Sequence, residues 1–579
     1  MIAVSNEFKN AIKSDERRIR GYVEVLYDVK TPTTTVSSNM TSSYTNLSDI
    51  TSGGRVKQNY GTVDYLPLDG SYLTMDVSGN TNSGFISNNL SGTDTGRTFT
   101  LSFSSTSLNG LTIYYKNNFP ENTYLTFSDS STATINGAED IGGGDYKQQI
   151  IFSSPKTLTS VQIQIDYWRY ETRKVKISRI DLGISNLYKD QNLIEFTVDE
   201  EINKLVEEVP INETNIIINN INDIFNPLNP QGVVKYLTEN SKIIPYIGVL
   251  TETLGVEYVK MGEFYFDSYT NNSDKTTTLV GKNILKLVET EPLKDDNETV
   301  FFNTTLNETN FNNFMSNYNY NHANNWTINC STMLWRENNL LKFLKDLAFW
   351  QINLFYADRN NTLTFKSVDN TIKDTLTKSE LINDVQYTTI DKLNTLTIIK
   401  NTYTNTGSNN RDIIKETVTL TKSPQVFLII ADSPDMLSAT VSQSGGNSAN
   451  IVCSAFYSLF VKVTGTIGNN VTLTFNTSTV ANTTQKAFSK QESGATNQNI
   501  LEFNSGIYYI VNDEVLTHRF PIIEKAPSYE ISFDYNGDPS LEAGDYINVE
   551  TPYGYKKVFI QKNQFKFNGG LQGSIEGVE

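Results

Sequence analysis

Apolar residues recur at every second position through much of the chain, in short runs separated by Ser, Thr, Asn and Gly. Spacing of two puts successive side chains on opposite faces of a strand; spacing of three and four collects them on one face of a helix. Ser5 to Ile19 reads as a short helix, capped by Ser5, with Phe8 and Ile12 four apart on one face and Gly21 as its stop. Tyr22–Asp28, rich in β-branched and aromatic residues, reads as a strand. Across residues 30–185 Phe99–Phe103 and Leu111–Tyr115 are short apolar and aromatic strand runs. Val161–Trp168 alternates most clearly, with Val161, Ile163, Ile165 and Tyr167 towards a core and Gln162, Gln164, Asp166 and Trp168 outward. Many short strands with almost no helix predict a β-sandwich of jelly-roll type there.

The pattern changes after Gly183. Glu195–Val198, Asn215–Asn220, Ile243–Leu250, Glu263–Asp267 and Thr276–Val280 read as strands. Asn338–Trp350 is the best helical segment, carrying Leu340, Leu341, Phe343, Leu344, Leu347 and Ala348 at helical spacing. Ile352–Ala357, the polar turn Asp358-Arg359-Asn360-Asn361 and Thr362–Lys366 then predict a β-hairpin. Thr388–Tyr403 resumes strands. Residues 425–520 read as a second β insertion, with Val471–Phe475 typical of it. Tyr529–Tyr535, Tyr546–Glu550 and Lys557–Gln561 return to the strand pattern that follows Gly183. No repeat of fixed period is present.

A length of 579 residues predicts several domains. Lys and Arg number 47 against 64 Asp and Glu, a net charge of −17, which argues against a broad grip on nucleic acid. The two histidines, His322 and His518, exclude a zinc centre built on several His, and neither sits in a recognisable Ser-His-Asp motif. The two cysteines, Cys330 and Cys453, exclude a four-Cys zinc site and a disulfide scaffold and read as buried free thiols. Met1–Val4 is followed at once by polar residues, so no signal peptide is expected, and no apolar run long enough to cross a membrane occurs.

Candidate chemistry is sparse. Glu200/Glu201 and Glu207/Glu208 are acidic pairs, but neighbouring residues on a strand point to opposite faces, so a solvated acidic surface is the expectation rather than glycoside hydrolysis. Asp129, Asp140 and Gly142–Asp145 could wrap a structural calcium, although the spacing matches no EF-hand and a Gly-rich turn is the plainer explanation. Trp168, with Arg169 and Tyr170, is the candidate contact for a glycan or a partner protein; packing against a neighbouring domain is the plainer reading. Arg169, Arg173, Lys174, Lys176 and Arg179 form a basic run, read as a charged outer strand face suited to an acidic neighbouring subunit. No phosphate-binding Gly-rich loop is present, and no catalytic or cofactor-binding residue is expected.

The ordered motifs resemble those of phage tail hub proteins. Phe196–Glu201, the IND.FNPLNP stretch at Asn219–Pro230, Tyr246–Gly248 and Met261–Tyr265 resemble the first tube domain of such hubs, and Val4–Val25 resembles the entry into it. Asn338–Trp350 with Ala357–Phe365 resembles the helix and hairpin that follow. Tyr535–Thr551 and Gly569–Gly577 resemble the second tube domain. Tyr60–Tyr72 and Arg173–Ile184 resemble the galactose-binding-like jelly roll often inserted into these hubs.

The resemblance implies a mainly β chain with a small α+β part, in which two tube-like β-barrel domains are interrupted by two inserts. The implied units are residues 1–30 plus 186–297 (first tube-like domain), 31–185 (jelly-roll insert), 298–380 (helix and hairpin), 381–424 plus 521–579 (second tube-like domain) and 425–520 (second insert). It implies a non-enzymatic homotrimer at the distal end of a tail, made in the host cytoplasm. Its partners would be a distal tail or tail tube protein, a tape measure protein and a tip or spike protein, with DNA only in transit. The alternative is a receptor-binding protein that recognises host surface glycans through the jelly roll. The chain ends soon after the last motif, short of the hydrolase or fibre region of longer members, which removes the family's usual reason to expect lytic activity.

Overall fold

The computed structural model describes the chain apart from residues 39–84, 87–96, 117–118, 143–144, 169–175, 205, 207, 230–231, 253–254, 291–303, 308–314, 316–317, 323–326, 331–338, 352–353, 391–393, 431–438, 444–447, 456–457, 492–499 and 505–528. The described residues are predominantly strand. Among them no closed barrel forms, and no helix is long and apolar enough to cross a membrane.

The two segments expected as separate tube-like barrels share one sheet. Strand Ile19–Leu26 lies between Ser185–Lys189 and Lys242–Thr251; the order then runs through Phe264–Asn271, Thr276–Lys282, Glu213–Asn219 and Leu193–Glu201. Leu193–Glu201 pairs directly with Gly554–Phe567 of the C-terminal segment, Phe196 opposite Phe567 and Glu201 opposite Lys562. Leu571–Val578, Tyr529–Tyr535 and Gln386–Thr389 complete the path. A single core runs beneath it, joining Phe8, Val23, Phe196, Ile216, Ile243 and Phe264 to Phe533, Ile547, Val558 and Ile575. The alternation read in the sequence explains this. In Glu213–Asn219, Thr214, Ile216 and Ile218 are buried while the residues between them are not.

The N-terminal helix is shorter than expected, Asn6–Ile12 instead of Ser5 to Ile19. Ser5 caps it as predicted, its Oγ accepting from Phe8 N at 2.9 Å, and Phe8 and Ile12 are buried. Residues 13–18 offer no apolar side chain to extend that face. Lys13 instead reaches Asp374 at 2.8 Å, Arg17 donates to the Asn536 carbonyl, and the strand begins at Ile19. Gly21 therefore stops no helix; it lies inside the strand, against the ring of Phe567.

The first insert has its own antiparallel sheet, built on two long strands, Arg97–Lys116 and Asp145–Trp168. Its core is separate, with Leu101, Ile113, Leu125, Val161, Ile163 and Ile165 buried and Gln162 exposed, as the alternation required. Helix Leu340–Gln351 buries Leu340, Leu341, Leu344, Leu347 and Ala348 and packs on helix Leu285–Thr290 and on strand Leu354–Ala357. Leu354–Ala357 and Leu363–Lys366 form the expected hairpin. Strand Thr395–Thr419 pairs with Asn470–Gln491 and Ile500–Asn504, and so joins the second insert's sheet instead of the largest sheet.

Candidate functional site: the junction around Arg359

The hairpin turn that the sequence marks as polar places its arginine in the protein interior. Asp358 shapes the turn: its Oδ1 accepts from Asn360 N and Thr362 N, both at 2.8 Å, and Asn361 takes a left-handed conformation with φ 57°. Arg359 is thereby turned inward onto Glu200, and the two side chains are only 6% and 7% exposed. Its Nε donates to Glu200 Oε1 and its Nη2 to Glu200 Oε2 at 3.0 Å. The remaining donors reach the Pro539 carbonyl (2.5 Å), the Leu541 carbonyl (2.8 Å) and Met261 Sδ (3.9 Å), and the guanidinium carbon stands 5.8 Å from the Phe565 ring centre. All five N–H groups of the arginine have an acceptor.

One side chain thus ties the hairpin to the segment before it, through Glu200 and Met261, and to the C-terminal segment, through Pro539, Leu541 and Phe565. Burial drives the Glu200 carboxyl above the usual carboxylate range; Arg359 opposes this without cancelling it, and Glu542 adds to the rise. Burial alone would lower the Arg359 guanidinium, but the facing Glu200 outweighs it. A small cleft beside the pair is lined by Glu201, Asn212, Glu263, Asn283, Tyr356 and Glu542 among others. Among the described residues no three His, Cys, Asp or Glu are placed to hold a metal ion.

A second polar seam fixes the first insert to the largest sheet. Arg179 Nη1 lies 2.8 Å from Glu24 Oε2, and its Nε and Nη2 donate to Asp181 at 2.6 and 2.8 Å. Ser185 Oγ donates to Asp181 Oδ2 at 2.6 Å. Lys147 donates to Asn186 Oδ1 at 2.7 Å, Asn186 Nδ2 donates to the Tyr188 hydroxyl at 3.1 Å, and the Tyr27 and Tyr188 hydroxyls are 2.7 Å apart. Burial pushes the Tyr188 hydroxyl up to about 12. Arg179, expected to meet a neighbouring subunit, is therefore paired within its own chain.

The other residues singled out in the sequence fall apart from these junctions. The Trp168 backbone ends strand Asp145–Trp168 opposite Pro120, while Arg169 and Tyr170 lie outside the described residues, as do Arg173 and Lys174. Glu200 and Glu201 diverge as strand neighbours must, one buried and one exposed; Glu208 is exposed and Glu207 lies outside the described residues. The loop read as a calcium candidate spends its carboxylates on lysines: Asp129 meets Lys156 at 3.3 Å and Asp145 meets Lys189 at 2.6 Å. His322 and Cys330 end short strands, Cys453 lies within strand Ser448–Ala455, and His518 is outside the described residues. Arg359 escapes sequence reasoning because a turn of four polar residues gives no local sign that one of them is buried.

No protein-family model matches the chain, and no curated protein matches it. Among solved structures it is similar to phage tail proteins. The 43 kDa tail protein of prophage MuSo2 from Shewanella oneidensis shares 10% identity over 68% of this chain and 96% of that one, with a TM-score of 0.38. A tail protein from Neisseria meningitidis shares 9% over 68% of this chain and 93% of that one, with a TM-score of 0.39. A prophage tail protein from Listeria monocytogenes shares 9% over 68% and 91%, with a TM-score of 0.34. Likeness at this level does not by itself assign a role.

Proposed function

We propose that the chain is a structural, non-enzymatic hub of a bacteriophage tail or tail-like particle. Three copies form a ring at the distal end of the tail that adapts a sixfold tube to a threefold tip and leaves a channel for DNA. One observation carries this reading. The motifs that resemble tail hubs are scattered from Val4 to Gly577, yet they lie on or beside one sheet: Tyr246–Gly248 in strand Lys242–Thr251, Phe264–Tyr265 in Phe264–Asn271, and Gly573–Gly577 in Leu571–Val578. Arg359 and Glu200 lock the halves that bear them. The inserts leave this frame as separate sheets, and the first has a core of its own, a design suited to a rigid connector that carries accessory modules. A net charge of −17 suits a channel wall that must not hold DNA phosphate.

The partners are two further copies, a distal tail or tube protein, a tape measure protein and a tip or spike protein. Mass spectrometry and imaging of purified tails test the assignment: the protein is expected at the distal end, and its absence from tails contradicts the reading. A second reading gives the insert a host-glycan contact at Trp168, Arg169 and Tyr170. The buried-exposed alternation that runs through Val161, Gln162 and Ile163 towards that strand end supports it. A glycan array with the full chain and with Trp168→Ala tests it; no binding by either contradicts it.

A further inference from the structure

Where the first insert meets the largest sheet, three side chains of complementary chemistry converge. Lys147 of strand Asp145–Trp168 and Asn186 of strand Ser185–Lys189 are each only 8% exposed. Lys147 Nζ donates to Asn186 Oδ1 at 2.7 Å and lies 2.9 Å from Glu139 Oε2. Glu139 stands directly opposite Lys147 in the pairing of strand Glu139–Gly142 with Asp145–Trp168. The Asn186 amide is held from its other end, its Nδ2 donating to the Tyr188 hydroxyl at 3.1 Å and to the Tyr27 hydroxyl at 3.3 Å.

An ion pair accounts for Lys147 and Glu139 but not for the third member. The lysine nitrogen is set against a carboxamide whose carbon lies one C=O bond, about 1.2 Å, beyond the oxygen it touches. A primary amine, a carbonyl carbon within reach and a carboxylate on the amine are the nucleophile, electrophile and base of an amide exchange. Strand pairing fixes the reactants from both sides, Lys147 opposite Tyr114 and Asn186 opposite Val25, so little ordering is left to be done before they react. The buried Tyr27 and Tyr188 close one side of the site. Glu139, 62% exposed, opens the other side to solvent and gives a small leaving group a way out.

We propose that Lys147 and Asn186 join in an intramolecular isopeptide bond, with Glu139 as the base. Glu139 takes one proton from the Lys147 ammonium, and the freed amine attacks Asn186 Cγ. The Nζ–Cγ bond forms as the Cγ–Nδ2 bond breaks. Nδ2 leaves as ammonium, carrying the proton that Glu139 returns and a second one from Nζ. The exchange is redox-neutral and needs no other reactant. Its product ties the first insert covalently to the strand that pairs with Ile19–Leu26, across the seam that Arg179 holds by ion pairs to Glu24 and Asp181. The bond does not depend on the tail assignment.

Mass spectrometry of the full chain, intact and digested with trypsin, freshly purified and aged, tests it. The wild type is expected to be lighter than its sequence by one ammonia, and its digest to contain a branched peptide that joins Lys147 to Asn186. Lys147→Arg keeps a positive charge beside Glu139 but offers no primary amine, and is expected to have its full mass and no branched peptide. In Glu139→Gln, which keeps both reactants, the link is expected to form about a hundredfold more slowly. A wild type of full mass in both samples overturns the proposal. So does a loss of ammonia without the branched peptide, which an asparagine succinimide would produce. A link that forms as fast in Glu139→Gln as in the wild type overturns the role of Glu139. The wild-type digest decides even if a variant fails to fold.

Discussion

Gly21 of strand Ile19–Leu26 sits against Phe567 of the C-terminal segment so closely that a Cβ at position 21 would stand 2.5 Å from Phe567 Cε1. Phe567 is itself stacked on Phe196, with ring centres 5.2 Å apart, so the ring has little room to retreat. The contact joins residues near opposite ends of the chain, and it exists only because the N-terminal and C-terminal segments share one core. Gly21→Ala is expected to destabilise the protein by about 1–3 kcal/mol, the usual cost of overpacking. Urea unfolding measures this. The double variant Gly21→Ala/Phe567→Leu is expected to recover part of the loss, because the smaller side chain vacates the space.

Removing Arg359 strands a buried charge. Arg359→Met is expected to cost about 3–5 kcal/mol, because Glu200 loses its bidentate partner while remaining buried. Glu200→Leu combined with Arg359→Met is expected to be substantially more stable than Arg359→Met alone, since apolar replacement of both members removes the desolvation cost. A double-mutant cycle in urea, with Glu200→Leu as the other single variant, gives both numbers; single losses that add up to the loss of the double variant would show that the pair is not coupled.

Glu263 behaves oppositely to Glu200. Burial pushes its carboxyl up, but Lys260 at 3.0 Å and Lys242 on its other oxygen outweigh this and hold it below the usual value of 4.5. A depressed carboxylate contributes stability above its unfolded pKa and loses it as pH falls through its folded value. The wild type is therefore expected to lose more stability than Glu263→Gln between neutral pH and the region below 4.5. Thermal melts of both proteins over that range check it, and parallel curves would show that Glu263 contributes nothing to the acid response.

Period-two alternation is a reliable guide wherever a strand has one wet and one dry face, as at Val161–Ile165 and Glu213–Asn219. Helical spacing identifies the buried face of Leu340–Gln351, and the turn Asp358–Asn361 marks the hairpin. Long-range pairing is not legible. Nothing local in Phe196–Glu201 shows that its partner is the stretch from Lys562 to Phe567, nor that Thr395–Thr419 turns away from the largest sheet towards Asn470–Gln491. The buried role of Arg359 is hidden for the same reason: an ion pair between residues 159 apart leaves no trace in either neighbourhood. Gly21 misleads because a glycine after a helical pattern ordinarily marks a C-terminus, whereas here it makes room for an aromatic ring from the far end of the chain.

Threefold assembly is the central claim, and solution mass tests it most directly. Light scattering of the purified full chain across a range of concentrations, alone and with tail tubes added, is expected to give a particle of about three times the 65.1 kDa chain, since closed rotational symmetry is how such rings form. A mass that stays at 65.1 kDa throughout, with and without tubes, contradicts it.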